Sequence, residues 1–175
     1  MSKSDTPLFS TDLISPAVKE ALPEGYTIRP LQRSDYSKGF LDVLRVLTTV
    51  GDISELDFNG RYDWMESRND EYFLLVILDG SQRIVGTGAL VVERKFIHGL
   101  GLVGHIEDIA VAKDQQGKKL GLRIIHALDY VAEKVGCYKV GYVYASFRSL
   151  ITLMVFIDNS RLLGSKRGIL HQMRV

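Results

Sequence analysis

The chain has 175 residues, 46% of them hydrophobic and 25% charged, with a net charge of +1. That is enough apolar material for one globular core, and a near-neutral balance without a basic stripe of interleaved aromatics excludes the nucleic-acid-binding class. A single cysteine, Cys137, excludes an internal disulfide and fits a reducing compartment; it reads as a small buried hydrophobe rather than a nucleophile.

Residues 1–24 form an N-terminal extension, expected to be partly disordered, with a short helix around Pro16 to Leu22. Met1 to Pro23 lacks the basic and apolar regions of a signal peptide. The longest apolar run, Phe73 to Leu78, is too short to span a bilayer, so a cytoplasmic protein with no membrane partner is expected. Residues 25–175 read as one domain. Tyr26 to Leu31 alternates as a first strand. Ser34 is placed to cap a helix running through Leu47, with Phe40, Leu41, Leu44 and Leu47 on one face and Gly51 as its stop. Ser54 caps a second helix that turns Leu56, Phe58, Tyr62 and Met65 inward, with Asn59-Gly60 a point of interruption. Glu71 to Asp79 is a buried strand, Gly80-Ser81-Gln82 a turn, and Ile84 to Phe96 a further strand. Gly99 to Gly101 turns the chain into a strand ending at Val111. A helical stripe follows at Leu120, Ile124, Leu128, Val131 and Val135, widened by Ile125 and Ala132. Cys137 to Tyr144 closes the series as a strand. Helices, an antiparallel run, and then strand–helix–strand give an α/β order.

The stretch from His105 to Ile125 carries the chemistry. A helix start offers unpaired N–H groups and a positive dipole end, and so binds anions. Lys118 and Lys119 sit badly with that dipole unless an anion lies between them and the backbone; Gly117 and Gly121 let the main chain approach it. The other reading is a glycine turn with solvated lysines. The spacing is neither that of a nucleotide P-loop nor that of a Rossmann fingerprint. Gln116-Gly117-x-x-x-Gly121 after a strand resembles the acetyl-CoA loop of the GCN5-related N-acetyltransferase superfamily.

Wider segments sharpen that resemblance. Leu47-Thr48-Thr49-Val50-Gly51, Val92-Glu93-Arg94-Lys95 with His98, Gly104 through Val111, and Gly136-Cys137-Tyr138-Lys139 occur in this order. Together they resemble the glucosamine-6-phosphate N-acetyltransferases, in a fungal-like form, from about Gly25 to Lys139. The resemblance implies a mixed central sheet flanked by helices and transfer of acetyl from acetyl-CoA to the amine of D-glucosamine 6-phosphate, in a homodimer; His98, His105, Glu107 and Asp108 have no recognised metal-ligand spacing, so no metal is expected. It assigns Glu107 and Asp108 to catalysis, with orientation of the amine favoured over strict base catalysis. Cofactor binding falls to Ile109, Ala110, Val111, Gly117, Lys118, Lys119, Leu120, Gly121 and Leu122. Substrate binding falls to Thr48, Lys95, Phe96, Ile97, His98, Glu107, Asp108, Ile109, Tyr138 and Lys139, the last two in the partner subunit's site. Read without the resemblance, Glu107 and Asp108 point to opposite faces of a strand, Thr48 caps a helix end, and Lys95 to His98 is an exposed turn.

After Lys139 the resemblance ends. The family expects an Asp on the strand and then a Phe-Tyr pair on a helix, whose Tyr protonates the departing thiolate. Here Val143 and Thr152 stand near those places, and no Phe-Tyr pair follows Lys139. Arg161, Lys166 and Arg167 are basic without an assignable register. We expect residues 140–175 to derive from a different reading of the gene, with weak turnover. A CoA-binding but catalytically impaired chain, or an acetyltransferase for another small amine, are the alternatives.

Overall fold

The computed structural model describes the backbone of residues 5–146 and 149–156, and side-chain surroundings for 5–142. In chain order the elements are α1 (Pro16–Glu20), β1 (Thr27–Pro30), α2 (Phe40–Leu44), α3 (Glu55–Glu66), β2 (Tyr72–Leu78), β3 (Ile84–Arg94), α4 (Ile97–Leu100), β4 (Leu102–Val111), α5 (Leu120–Lys134), β5 (Cys137–Ser146) and β6 (Ser149–Phe156), with short 3-10 turns at Thr11–Leu13, Arg33–Lys38 and Lys113–Gln115. The six strands form one sheet in sequence order. Every neighbouring pair is antiparallel except β4 and β5. A parallel joint needs a crossover, and α5 supplies it.

The amphipathic stripe seats α5 on the sheet: Leu120, Ile124, Ala127, Leu128, Val131 and Ala132 are buried. Glycines in the strands make room for it. A Cβ on Gly88 would lie 2.5 Å from both Ile109 Cδ1 and Ile124 Cγ2, and one on Gly104 would meet Leu90, Ala132 and Cys137. The expected extension is integral to this layer, since Leu8, Phe9, Ile14 and Val18 lie in the core and the Leu8 N–H donates to the Leu31 carbonyl. The other face of β3 and β4 receives α2, whose Phe40 ring meets Phe58 of α3 edge-on at 5.9 Å.

Two expectations for this second layer are corrected. The helix from Ser34 to Leu47 is broken: Gly39 takes a left-handed φ of +90°, separating a 3-10 turn from α2, and the helix proper ends at Leu44. Gln32, not Ser34, opens the segment, because Asp35 reaches back to the Gln32 N–H (2.8 Å) while its carboxylate takes a two-pronged bond from Arg29 at 2.8 and 2.6 Å. The Asp35 side chain is fully buried, so this pairing pins the segment to β1. Ser54 caps α3 as expected, its hydroxyl accepting from the Asp57 N–H. Asn59-Gly60 does not interrupt the helix, but Leu56 points outward, 82% exposed; Phe58 and Tyr62 carry the buried face.

Candidate active site

Strand β4 slips its register beside β3. Thr87 opposes Ala110 and Ala89 opposes Glu107, so Asp108 and Ile109 together face the single residue Gly88. Asp108 absorbs the extra residue with a φ of +54°, the mark of a β-bulge. The expectation that Glu107 and Asp108 simply alternate across a strand is therefore corrected. Before the bulge Gly104 faces α5, and Ile106 follows it by alternation. After it Ile109 and Val111 do so, Ile109 beside Gly88 and both beside Gly121. His105 and Glu107 stay on the opposite face, the side of α2. Asp108 is exposed at the bulge itself.

The bulge coincides with a fork. Pairing between β4 and β5 runs from Leu102/Cys137 to Ile106/Tyr142 and ends there, while β4 continues to Val111 and β5 to Ser146. Glu107 to Val111 thus present one edge of backbone N–H and carbonyl groups to a gap rather than to a neighbouring strand. Such an edge accepts an extended chain bearing amides.

At the top of the gap α5 begins. Its N-cap is Lys119, with a left-handed φ of +58° and no side-chain cap. The first helical bond is from the Arg123 N–H to the Lys119 carbonyl at 3.2 Å, which leaves the N–H groups of Leu120, Gly121 and Leu122 ahead of it. Fifteen residues of helix stand behind that start, so it is electropositive. Gly117 has φ +83°, which favours glycine, whereas Gly121 sits against β4: an added Cβ would lie 3.8 Å from Cγ2 of Ile109 and of Val111. The lysines divide. Lys118 is drawn away from the helix start, donating to the Tyr26 hydroxyl at 2.7 Å and to Gln115 Oε1 at 2.6 Å, which corrects the picture of two lysines flanking an anion. Leu122 is 44% exposed beside this start.

Lys95 to His98, Tyr138 and Lys139 form a second cluster around the start of β4 at Leu102, roughly 20 Å from the bulge at ~3.3 Å per residue. Lys95 pairs with Glu93, whose other oxygen lies 3.0 Å from His105 Nε2. The hydrogen bonds from Lys95 and then His105 hold the Glu93 carboxyl below the usual carboxylate range. His98 stacks on the ring of Tyr138, centroids 4.2 Å apart. His98, Gly99 and Leu100 all have left-handed φ, and this tight turn thrusts Phe96 (95% exposed), Ile97 and Leu100 outward. Thr48 lies exposed just past α2, its N–H donating to the Leu44 carbonyl at 3.2 Å. Lys139 opposes Val103 and Phe156 in the sheet. Sequence reading named both groups of residues but not the distance between them.

It also missed two groups. The Glu93–His105 contact depends on β3–β4 register, which composition does not reveal. Tyr142 donates to Asp129 Oδ1 at 2.5 Å, joining β5 to α5, and only the crossover brings them together. Val143 and Thr152 oppose each other across β5 and β6, so backbone expected to enter a helix returns as a hairpin strand. Arg161, Lys166 and Arg167 lie outside the described residues. Burial pushes the Cys137 thiol up to about 11, fitting its reading as an inert core group. Among the described residues no cluster of three His, Cys, Asp or Glu is placed to hold a metal, and no helix is long and apolar enough to cross a membrane.

Comparison with known proteins places these features in context. Residues 29–149 match the model of the acetyltransferase (GNAT) family. The chain is 50% identical over 119 residues to the glucosamine 6-phosphate N-acetyltransferase of Candida albicans, covering 68% of this chain and 80% of that one. It is 41% identical over 118 residues to glucosamine 6-phosphate N-acetyltransferase 1 of Dictyostelium discoideum, covering 67% and 74%. Its fold matches the crystal structure of glucosamine-6-phosphate N-acetyltransferase from Arabidopsis thaliana with a TM-score of 0.68 and 34% identity, covering 71% of this chain and 84% of that one.

Proposed function

The chain belongs to the GNAT acetyltransferase family, and on that premise we propose that it transfers acetyl from acetyl-CoA to the amine of D-glucosamine 6-phosphate, giving N-acetylglucosamine 6-phosphate and CoA for UDP-N-acetylglucosamine synthesis. The observation that carries the reading is the conjunction of a bulged, half-unpaired β4 with an uncapped helix start at the mouth of the same gap.

The N–H groups of Leu120, Gly121 and Leu122, with Gly117, Lys118 and Lys119 shaping the loop, hold the pyrophosphate of CoA. Ile109, Ala110 and Val111 pair with the pantetheine amides along the open edge of β4, and an N–H there polarises the thioester carbonyl and stabilises the oxyanion formed on attack. Glu107, on the α2 face, and Asp108, at the bulge, orient the amine and take its proton directly or through water. The product carries the new C–N bond, and the electron pair of the broken C–S bond leaves on sulfur.

The second cluster needs a partner. The turn with Phe96, Ile97 and Leu100 exposed is apolar surface of the kind that subunit contacts cover. In a homodimer Lys95, Phe96, Ile97 and His98, with Tyr138 and Lys139 from the neighbouring subunit, bind the sugar phosphate. Lys95 then exchanges Glu93 for the phosphate. A second reading, a CoA-binding chain with impaired turnover, is favoured by the hairpin β5–β6 that follows Tyr142. Incubation with isotopically labelled acetyl-CoA and glucosamine 6-phosphate, followed by mass spectrometry, distinguishes them: labelled N-acetylglucosamine 6-phosphate supports transfer, and CoA binding without product supports the second.

A further inference from the structure

The loop ahead of α5 holds a shape that its own residues resist. Gly117 and Lys119 both take left-handed φ, +83° and +58°, and the Lys119 side chain disfavours that region. No side chain caps the helix start, and Gln116 reaches only the Val111 carbonyl, at a marginal 3.5 Å. The strong bonds come from Tyr26, just ahead of β1. Its hydroxyl donates to Gln115 Oε1 at 2.6 Å and accepts from Lys118 Nζ at 2.7 Å, while Lys118 donates to the same Gln115 oxygen at 2.6 Å. The three groups close a ring around the ammonium, which also lies 5.2 Å from the Tyr26 ring centroid. We propose that Tyr26 is a positioning residue for this loop: with Gln115 it latches Lys118, and so keeps the N–H groups of Leu120, Gly121 and Leu122 bare for the CoA pyrophosphate.

Both sides of the latch are anchored. The Tyr26 N–H donates to the Pro23 carbonyl at 3.1 Å, and its ring packs against the core. Gln115 ends a 3-10 turn whose Asp114 accepts from Arg83 at 2.6 Å, and Arg83 also donates to Asp79 at 3.3 Å. The loop is thereby tied to the start of β1 and to the turn between β2 and β3. Released from the latch, Lys118 is free to fold over the helix start. There its charge opposes the dipole and its chain covers the N–H groups that an anion needs. Held back, it adds attraction for an anion without blocking them.

This role rests on the CoA-binding reading of the cleft, and the test separates the two. CoA affinity is measured by calorimetry for the full chain, Tyr26→Phe, Lys118→Met and the double variant. Tyr26→Phe weakens CoA about threefold to tenfold, the worth of one hydrogen bond spent on preorganisation. The double variant binds CoA no more than about twofold worse than Lys118→Met alone, because the phenol acts only through that lysine. In steady state the acetyl-CoA KM rises by the same factor as the affinity falls, with kcat within about twofold. A loss below about threefold in Tyr26→Phe, or tighter binding, overturns the proposal. So do additive losses in the double variant, the signature of a tyrosine that merely supports the fold. Should Tyr26→Phe fail to fold, Gln115→Leu opens the same ring and is scored identically. Failure of the full chain to bind CoA overturns the CoA-binding reading, and this proposal with it.

Discussion

Ile106 and Ile109 face the same helix although three positions separate them on one strand. An unbroken strand would set them on opposite faces; the bulge at Asp108 restores Ile109 to α5. One residue thereby closes the core beneath α5 and leaves a carboxylate at the cleft.

That dual role makes Asp108→Gly informative. Glycine adopts the left-handed φ of +54° without the penalty a side chain carries, so stability should hold or rise by up to ~1 kcal/mol. The carboxylate is gone, so turnover with glucosamine 6-phosphate should fall while calorimetric CoA affinity stays within about twofold. Equal losses in both would make Asp108 structural.

The helix start is tested at Gly121. A Cβ there touches Ile109 and Val111 at 3.8 Å, so alanine fits, but the two methyl groups of valine must crowd β4 or the N–H groups proposed to meet the pyrophosphate. Gly121→Val should weaken CoA binding tenfold or more, about 1.4 kcal/mol. Calorimetry on a folded variant with unchanged affinity would remove the phosphate site from this loop.

How much of this was legible beforehand varies with the physics. Order and type of strands β1 to β5, the α5 stripe and its start at Leu120 follow from periodicity and glycine punctuation, which local sequence encodes; β6 was not read. The Ser34–Leu47 helix fails because Gly39 and the Arg29–Asp35 pair override a good apolar period. The bulge left no sign in composition, since Asp108 reads as an ordinary strand acid. Tyr142 was passed over because its partner lies across a crossover. The contact of Lys118 with Tyr26 was not foreseen because the two lie far apart in sequence.

Gly88 sits where the α5 layer comes nearest. A Cβ would fall 2.5 Å from Ile109 Cδ1 and from Ile124 Cγ2, so Gly88→Ala should destabilise by about 1–3 kcal/mol through overpacking and push Ile109 toward the cleft. Denaturant unfolding reads the first effect and CoA calorimetry the second. A fully stable variant would mean that the helix yields without cost.

Asp129 sets a pH dependence. Burial raises its folded pKa above the ordinary carboxylate value, against the Tyr142 hydrogen bond and the nearby His126, so the folded state binds the extra proton. That contribution to stability is complete below about pH 4 and is lost as pH rises through the raised pKa. Asp129→Asn keeps an acceptor for the Tyr142 hydroxyl and has no proton to lose. Its melting temperature relative to the parent should therefore climb between about pH 4 and pH 8; a flat difference across that range would contradict the sign.

The central claim is that this one cleft carries acetyl from CoA to an amino sugar phosphate, and free-thiol release from acetyl-CoA tests it most directly. With the full chain, release should saturate in both acetyl-CoA and glucosamine 6-phosphate, and glucosamine lacking the phosphate should be used far less well. Thiol release no faster than the enzyme-free blank, in a protein that calorimetry shows to bind CoA, would contradict it.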